Sequence, residues 1–485
     1  MKLSASLILF ACAVTFGPAN AETSTVSVHE IIEKVEQAYG GDALLKAKSL
    51  TIIDHNKSPW AGQSENPTQL EIWRVNEELT IDFQNKRKTM VSWRVSRSGK
   101  DLDRFVFDGE RGRVYDILNN KYTDDDWYNY ENIGASVVRG SDTMIAKSLS
   151  TVEKTAVYEG EAFYRGDLHH MLKVKLGKAP AYTLFIHQRS GLIRKMERQH
   201  PSAGLISYIF SNHQSSDGIA YAQDMNYFVG GKIRGMSVER GIKLNTPVES
   251  LFSQPPGFES WGEVLDTSKH TVRKVADGVY HAGQGRSFTM FVDVGNYFIA
   301  SGGERGLRKN LAAVNKFAGH DKPLKFFIAS HHHSEHIRIL TEVIELGASI
   351  VTVEAHLKTI KQSIDSAVTD ERFILVNNRM SLGDGKLEVI DIATAHSEHY
   401  LLVYMPKDNL AFTEDLIETQ LKLGLPRVHH DMVTFRQKVE SLNLGVEKFL
   451  DGHSLRMLTM QELREATDRF TPVSCPTGYR ICEKG

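Results

Sequence analysis

The sequence predicts a two-domain chain of mixed α+β and α/β class. A mainly antiparallel β domain with a helix spans residues 22–260, and an α/β domain spans residues 271–470. Three observations carry this prediction. A length of 485 residues exceeds what one ordinary core accommodates. Up to about residue 245, short alternating apolar runs are separated by turn signals. Beyond residue 271, apolar strands alternate with helix-length amphipathic stretches.

The chain opens on an export address. Lys2 supplies a positive start, Leu3 to Phe16 is mostly apolar, and Ala19-Asn20-Ala21 is a small-x-small site, so residues 1–21 read as a signal peptide cleaved before Glu22. The apolar run falls short of the roughly 20 residues a spanning helix needs, and Gly17-Pro18 interrupts it. A lipoprotein reading through Cys12 meets a poor context in Phe10 and Ala11. No later segment could span a bilayer, so a periplasmic or secreted protein with no stable membrane span is expected. Apolar content of 41% and charged content of 24% fit a soluble globular protein. A net charge of −2 gives no field that would attract nucleic acid or anionic membrane.

In the first domain, Ile31, Ile32, Val35, Ala38, Leu44 and Leu45 recur near helical spacing, with Gly40-Gly41 interrupting them. Strand-like runs follow at Leu70 to Val75, Leu79 to Phe83, Met90 to Val95 and Phe105 to Phe107. Others lie at Met171 to Leu176, Tyr182 to His187, Leu205 to Phe210 and Ala220 to Phe228. Asp108-Gly109, Arg189-Ser190-Gly191 and Ser216-Asp217-Gly218 punctuate them as turns. Tyr39 to Leu50, the Ser190-Gly191-Leu192-Ile193 turn, Asp217-Gly218-Ile219 and the close from Asn245-Thr246-Pro247 to Pro255-Pro256-Gly257-Phe258 resemble outer-membrane lipoprotein-carrier proteins. That resemblance implies an antiparallel half β-barrel around a helix, with an apolar cavity for acyl chains. A filled interior serving as scaffold or dimerisation module is the competing reading.

Residues 259–270 form a polar connector, and Val272 to Tyr280 opens the second domain. Strands are expected at Met290 to Val294, Tyr297 to Ala300, Phe326 to Ala329 and Ser349 to Val353, with helices at Leu307 to Phe317, Ile337 to Leu346 and Ala355 to Ile364. Cys475 and Cys482, with Pro476 and Gly478 between them, fit a small disulfide loop pinning the tail 471–485. A thiolate metal pair is the other reading, but no second cysteine pair exists.

The chemistry concentrates after the strand Phe326 to Ala329, in Ser330-His331-His332-His333-Ser334-Glu335-His336. A loop at a strand end can aim several side chains at one point, and imidazoles with a carboxylate suit zinc and similar divalent ions. A solvated His-rich loop is the bland alternative. His396 after Leu387 to Ile392, Asp415 closing Leu410 to Glu414, and His453 in Asp451-Gly452-His453 add polar residues at the ends of further apolar elements.

This set resembles the metallo-β-lactamase superfamily across roughly residues 270–470. The family pattern His-x-His-x-Asp-His falls on His331, His333, Glu335 and His336. By resemblance, His331, His333 and His396 hold one metal, Glu335, His336 and His453 hold a second, and Asp415 bridges them. An αββα sandwich with the site at one sheet edge is implied, as is a hydrolase of an ester, thioester, amide or phosphoester. Attack is by a hydroxide that the metals activate and Glu335 orients as the catalytic carboxylate. Two zinc ions are expected, with iron or manganese as alternatives. The substrate is a small molecule or a lipid, and the oligomeric state stays open. His332, His399, His429 and His430 could touch substrate or merely face solvent. Three positions depart from the family: Glu335 for aspartate, Ala300 for a supporting aspartate, and Glu414 for glycine. Two other functions stay open, a periplasmic lipid- or ligand-binding protein with a degenerate metal domain, and an iron oxidoreductase.

Overall fold

The computed structural model describes residues 26–364, 368–471 and 474–483. The expected signal segment and Cys12 lie outside the described residues.

Helix Val28–Ala38 starts at a capping box, in which Ser27 accepts from the Glu30 amide and the Glu30 carboxylate accepts from the Ser27 amide. Its buried face is Ile31, Ile32 and Val35. The helix stops at Gly40, whose φ of 114° is open only to glycine. A Cβ there would also lie 2.5 Å from Cδ1 of Ile219.

The chain then meanders outward from strand Ser49–Ala61 to Lys121–Asp124 and crosses through helices Ala135–Arg139 and Asp142–Ser148. It returns from the far edge, Val157–Tyr164, until Lys232–Leu244 pairs antiparallel with Ser49–Ala61. The product is one fourteen-stranded sheet. Leu50, Ile52, Leu79, Leu184 and Phe210 pack with the helix residues Ile31 and Val35 in its core. The connector is stitched down rather than loose. Glu259–Ser260 pairs in parallel with Lys121–Asp124, and Val264 forms a bridge with Leu421.

Beyond the connector, a seven-stranded and a six-stranded sheet stack face to face. Period-two alternation sorts their side chains. Met290 and Val292 point between the sheets, as do Leu401 and Val403. Phe291 faces helices Leu307–Ala318, Leu340–Glu345 and Glu354–Ser363, while Leu402 faces helices His430–Ser441 and Met460–Asp468. The layers therefore run helix, sheet, sheet, helix. The helix expected at Ile337 to Leu346 is broken in two, as Ser334–Ile337 and Leu340–Glu345. The first piece begins one turn earlier than the apolar pattern indicated and carries His336.

Cys475 and Cys482 are disulfide-bonded. The tail returns to the first sheet, where Ile481 and Cys482 pack with Trp93, Leu102 and Tyr115. Asn76 Nδ2 donates to the Ile481 carbonyl at 2.9 Å.

Candidate metal centre

Each candidate ligand sits just past the end of a strand on one edge of the two stacked sheets. His331 and His333 follow Leu324–Ile328, His396 follows Leu387–Ile392, Asp415 follows Leu410–Thr413, and His453 turns between Lys448–Asp451 and Ser454–Thr459. His336 lies in the short helix after His333. Asp415 has a φ of 68°, an uncommon conformation for a residue with a side chain, and it turns the carboxylate back toward the histidines.

The side chains converge. One ligand atom each from His331, His333, His396 and Asp415 lies within 4.8 Å of all the others, and His336, Asp415 and His453 form a second such group. Asp415 is common to both. Its Oδ2 is 2.7 Å from His336 Nε2 and 3.2 Å from the Nε2 atoms of His331 and His396, while its Oδ1 is 2.6 Å from His453 Nε2.

The outer nitrogen of each ring fixes which way the inner one presents its lone pair. His453 Nδ1 donates to the Arg286 carbonyl at 2.7 Å, and His336 Nδ1 donates to Glu414 at 2.9 Å. His333 Nε2 donates to the Ser64 carbonyl at 3.1 Å, leaving its buried Nδ1 without a hydrogen-bond partner. His396 Nδ1 lies 3.5 Å from Asp431. Ser330 donates to Glu414, so its oxygen accepts from His331 Nδ1 at 3.0 Å. Five rings thus gather nitrogens around one carboxylate, a donor set that suits a cation.

The electrostatics divide the rings: against burial, neighbouring carboxylates raise His336 and His396 above the usual histidine range. Burial, reinforced by neighbouring imidazoles, holds His331 and His333 well below the usual histidine range, in the neutral form that binds metal. Burial also disfavours charge on His453, but the Asp415 carboxylate outweighs it and pushes that ring up to about 10. The field that draws a proton to His453 is the field that would hold a dication.

Glu335 requires a correction. It joins neither group. Its carboxylate accepts from the Gln63 side chain and from Ser334 Oγ, because the short helix turns position 335 away from the His331, His333 and His336 cluster and toward the hairpin loop of the first sheet. Glu414 does work the sequence did not assign to it. It is buried, and besides His336 and Ser330 it accepts from the Gly303 amide at 3.1 Å. Gly452 makes room for it, since a Cβ there would lie 2.9 Å from Glu414 Cγ. Glu414, beside Asp415, could have been found by asking what a charged residue does at a buried strand end. The Ser64 carbonyl left no signal in the sequence.

The other histidines divide. His332 is buried against His356, with ring centroids 5.0 Å apart, and His399 Nδ1 lies 2.8 Å from Asp391. His430 begins the helix His430–Ser441. His429 lines a cavity of about 460 Å³ that reaches Asp415, and Asp116, Asp125 and Tyr128 of the first sheet form its opposite wall.

No family model and no curated protein matches the chain. Among solved structures, DIM-1 metallo-beta-lactamase is similar at 15% identity and a TM-score of 0.34, over 42% of this chain and 97% of that one. A metallo-beta-lactamase from Hirschia baltica is similar at 14% identity and a TM-score of 0.32, over 41% of this chain and 96% of that one. The Flv1 flavodiiron core from Synechocystis sp. PCC6803 is similar at 11% identity and a TM-score of 0.33, over 41% of this chain and 60% of that one.

Proposed function

We propose that this chain is an exported metal-dependent hydrolase of the metallo-β-lactamase type. One observation carries the reading: five oriented imidazoles share a single carboxylate, Asp415, in two adjoining groups. His331, His333 and His396 would hold one cation, and His336 and His453 the other, with Asp415 between them. Bound there, a pair of divalent cations would lower the pKa of water and polarise a carbonyl or phosphoryl oxygen.

The chain's own residues supply the rest. Ser330, Glu414, Asp431 and the carbonyls of Ser64 and Arg286 keep each imidazole in the tautomer that binds. The cavity beside Asp415 gives a substrate access to the centre, with a wall from each side of the connector. Glu335 has no part in this reading, and an ester, thioester, amide or phosphoester would fit the chemistry equally. The Cys475–Cys482 disulfide supports an oxidising compartment.

The test is elemental analysis of the mature protein purified without chelator, beside His331→Ala. About two zinc ions per chain, lost in the variant, are expected, followed by turnover on a panel of those four ester and amide classes. Iron in place of zinc would redirect the reading to oxygen chemistry. No metal after supplementation would overturn it.

A further inference from the structure

A second cavity, of about 530 Å³, lies within the fourteen-stranded sheet, away from the metal centre. Its size is that of a small-molecule site. Four guanidiniums line it, from Arg94, Arg139, Arg198 and Arg234. Among the described residues, none of the four closes a hydrogen bond or an ion pair with another side chain, and the Arg198 Nε is buried without a partner. Elsewhere Arg87 meets Asp82 and Arg113 meets Asp124 directly. Four arginines around one hollow, without such partners, leave their donors available to an acceptor that enters it.

The acids on the same wall do not cancel them. Asp54 and Glu77 are the carboxylates that line the cavity. Burial raises both, and the adjacent Asp54 helps to push Glu77 up to about 7 against the pull of Arg94. Asp54 already faces Arg240, at 3.5 Å. Four positive groups thus face two weakened negative ones.

Ring faces make up much of the remaining wall, beside the aliphatic Val75, Met90, Ile206 and Met225. Trp60 and Trp73 lie with ring centroids 5.1 Å apart, and Tyr208 stacks on Tyr227 at 4.6 Å. The Arg198 guanidinium lies over the Tyr182 ring, 5.4 Å from its centroid. Ring faces beside planar guanidiniums select a flat, π-rich body with an acidic group at its edge. A flexible alkyl chain gains less from them.

We propose that this cavity is a binding site for a small planar aromatic anion, a carboxylate or sulfonate-like acid on a ring system. The guanidiniums receive the anion, and the tryptophan and tyrosine faces receive the ring. The site is separate from the metal centre and does not depend on the hydrolase reading.

Trp60 and Trp73 make the test direct, because a ligand beside them changes their fluorescence. The full-length mature protein would be titrated with 2-naphthoate, 2-naphthalenesulfonate, 2-naphthylmethylammonium and decanoate. Saturable quenching by both naphthyl anions is expected, about tenfold tighter or more than by the cation or by decanoate. Arg198→Gln with Arg234→Gln should weaken the anions about tenfold, and the paired lysine variants should retain most of the binding. His331→Ala should leave it unchanged. If the glutamine variants fail to fold, as judged by circular dichroism, salt dependence of the unmutated protein decides, with weakening on added salt expected. Equal binding of the cation would overturn the proposal, as would decanoate binding as tightly as naphthoate. So would anion affinity that survives both the arginine substitutions and high salt.

Discussion

Two buried ionic clusters, one on each side of the connector, solve the same problem in opposite ways. In the fourteen-stranded sheet, Asp142 is fully buried. It accepts from Tyr39 Oη at 2.8 Å and from the Ala222 amide at 2.9 Å, with His213 at 3.2 Å and Arg240 at 3.8 Å. Donors surround an acceptor, although Asp142 Oδ1 and His213 Nδ1 themselves close no hydrogen bond. At the sandwich edge, Asp415 is surrounded by ring nitrogens whose donors have been spent outward on Ser330, Ser64, Glu414 and Arg286. Polarity and burial are comparable, but the direction of the hydrogen bonds differs. Donors gathered on one carboxylate stabilise a fold, whereas imidazoles and a carboxylate gathered on one point suit a cation.

The contrast can be broken at either end. Asp415→Asn should have the largest effect, about a thousandfold loss of hydrolysis together with lost metal, since both groups share that carboxylate. Kinetics alongside elemental analysis check it, and unfolding in urea should move little. Asp142→Ala should do the reverse. Leaving His213 without its carboxylate and Arg240 with Asp54 alone should cost about 3 kcal/mol in urea unfolding, with metal content unchanged.

The Asp142 contribution also has a pH signature. Burial raises its pKa, but His213, Arg240 and Tyr39 outweigh burial and hold it below the usual carboxylate range. A depressed folded pKa gives stability that is present above the unfolded value, near 3.8. That stability is lost as pH falls through the lower folded one. Urea midpoints taken on either side of pH 4 should therefore differ less in Asp142→Ala than in the unmutated protein.

Smaller changes sharpen the comparison. Glu414→Gln keeps the size but removes the charge that holds His336 Nδ1, and should weaken metal binding about 10- to 100-fold. Competition with a chelator reads this directly. Asn66→Ala, which removes a 2.7 Å hydrogen bond to the exposed Glu398 across the hairpin loop, should cost about 1 kcal/mol or less and leave metal affinity nearly intact. A large effect there would show that the hairpin does more than cover the centre.

Much of the centre could be read from the sequence because its ligands obey a local rule, polar residues at the ends of apolar strands. His331, His333, His336, His396, Asp415 and His453 all satisfy that rule, and their side chains converge. Glu335 satisfied it too, and the structure still turns it outward to Gln63. A one-residue spacing cannot tell which side of a short helix a carboxylate will face. Alternating strands and the closing cysteines were likewise legible, because each depends on neighbours within a few residues.

The sequence by itself determined the residue types, the strand-end positions and the apolar alternation that stacks two sheets between helices. Only the tertiary structure decided which ring nitrogens point inward. That choice belongs to acceptors far away in the chain: the Ser64 carbonyl for His333, Arg286 for His453 and Glu414 for His336. The Arg427 side chain makes the same point, reaching Asp101, Asp103 and Asp116 of the first sheet. Hydrogen-bond direction is set by through-space partners, and no pattern of neighbouring residues records it.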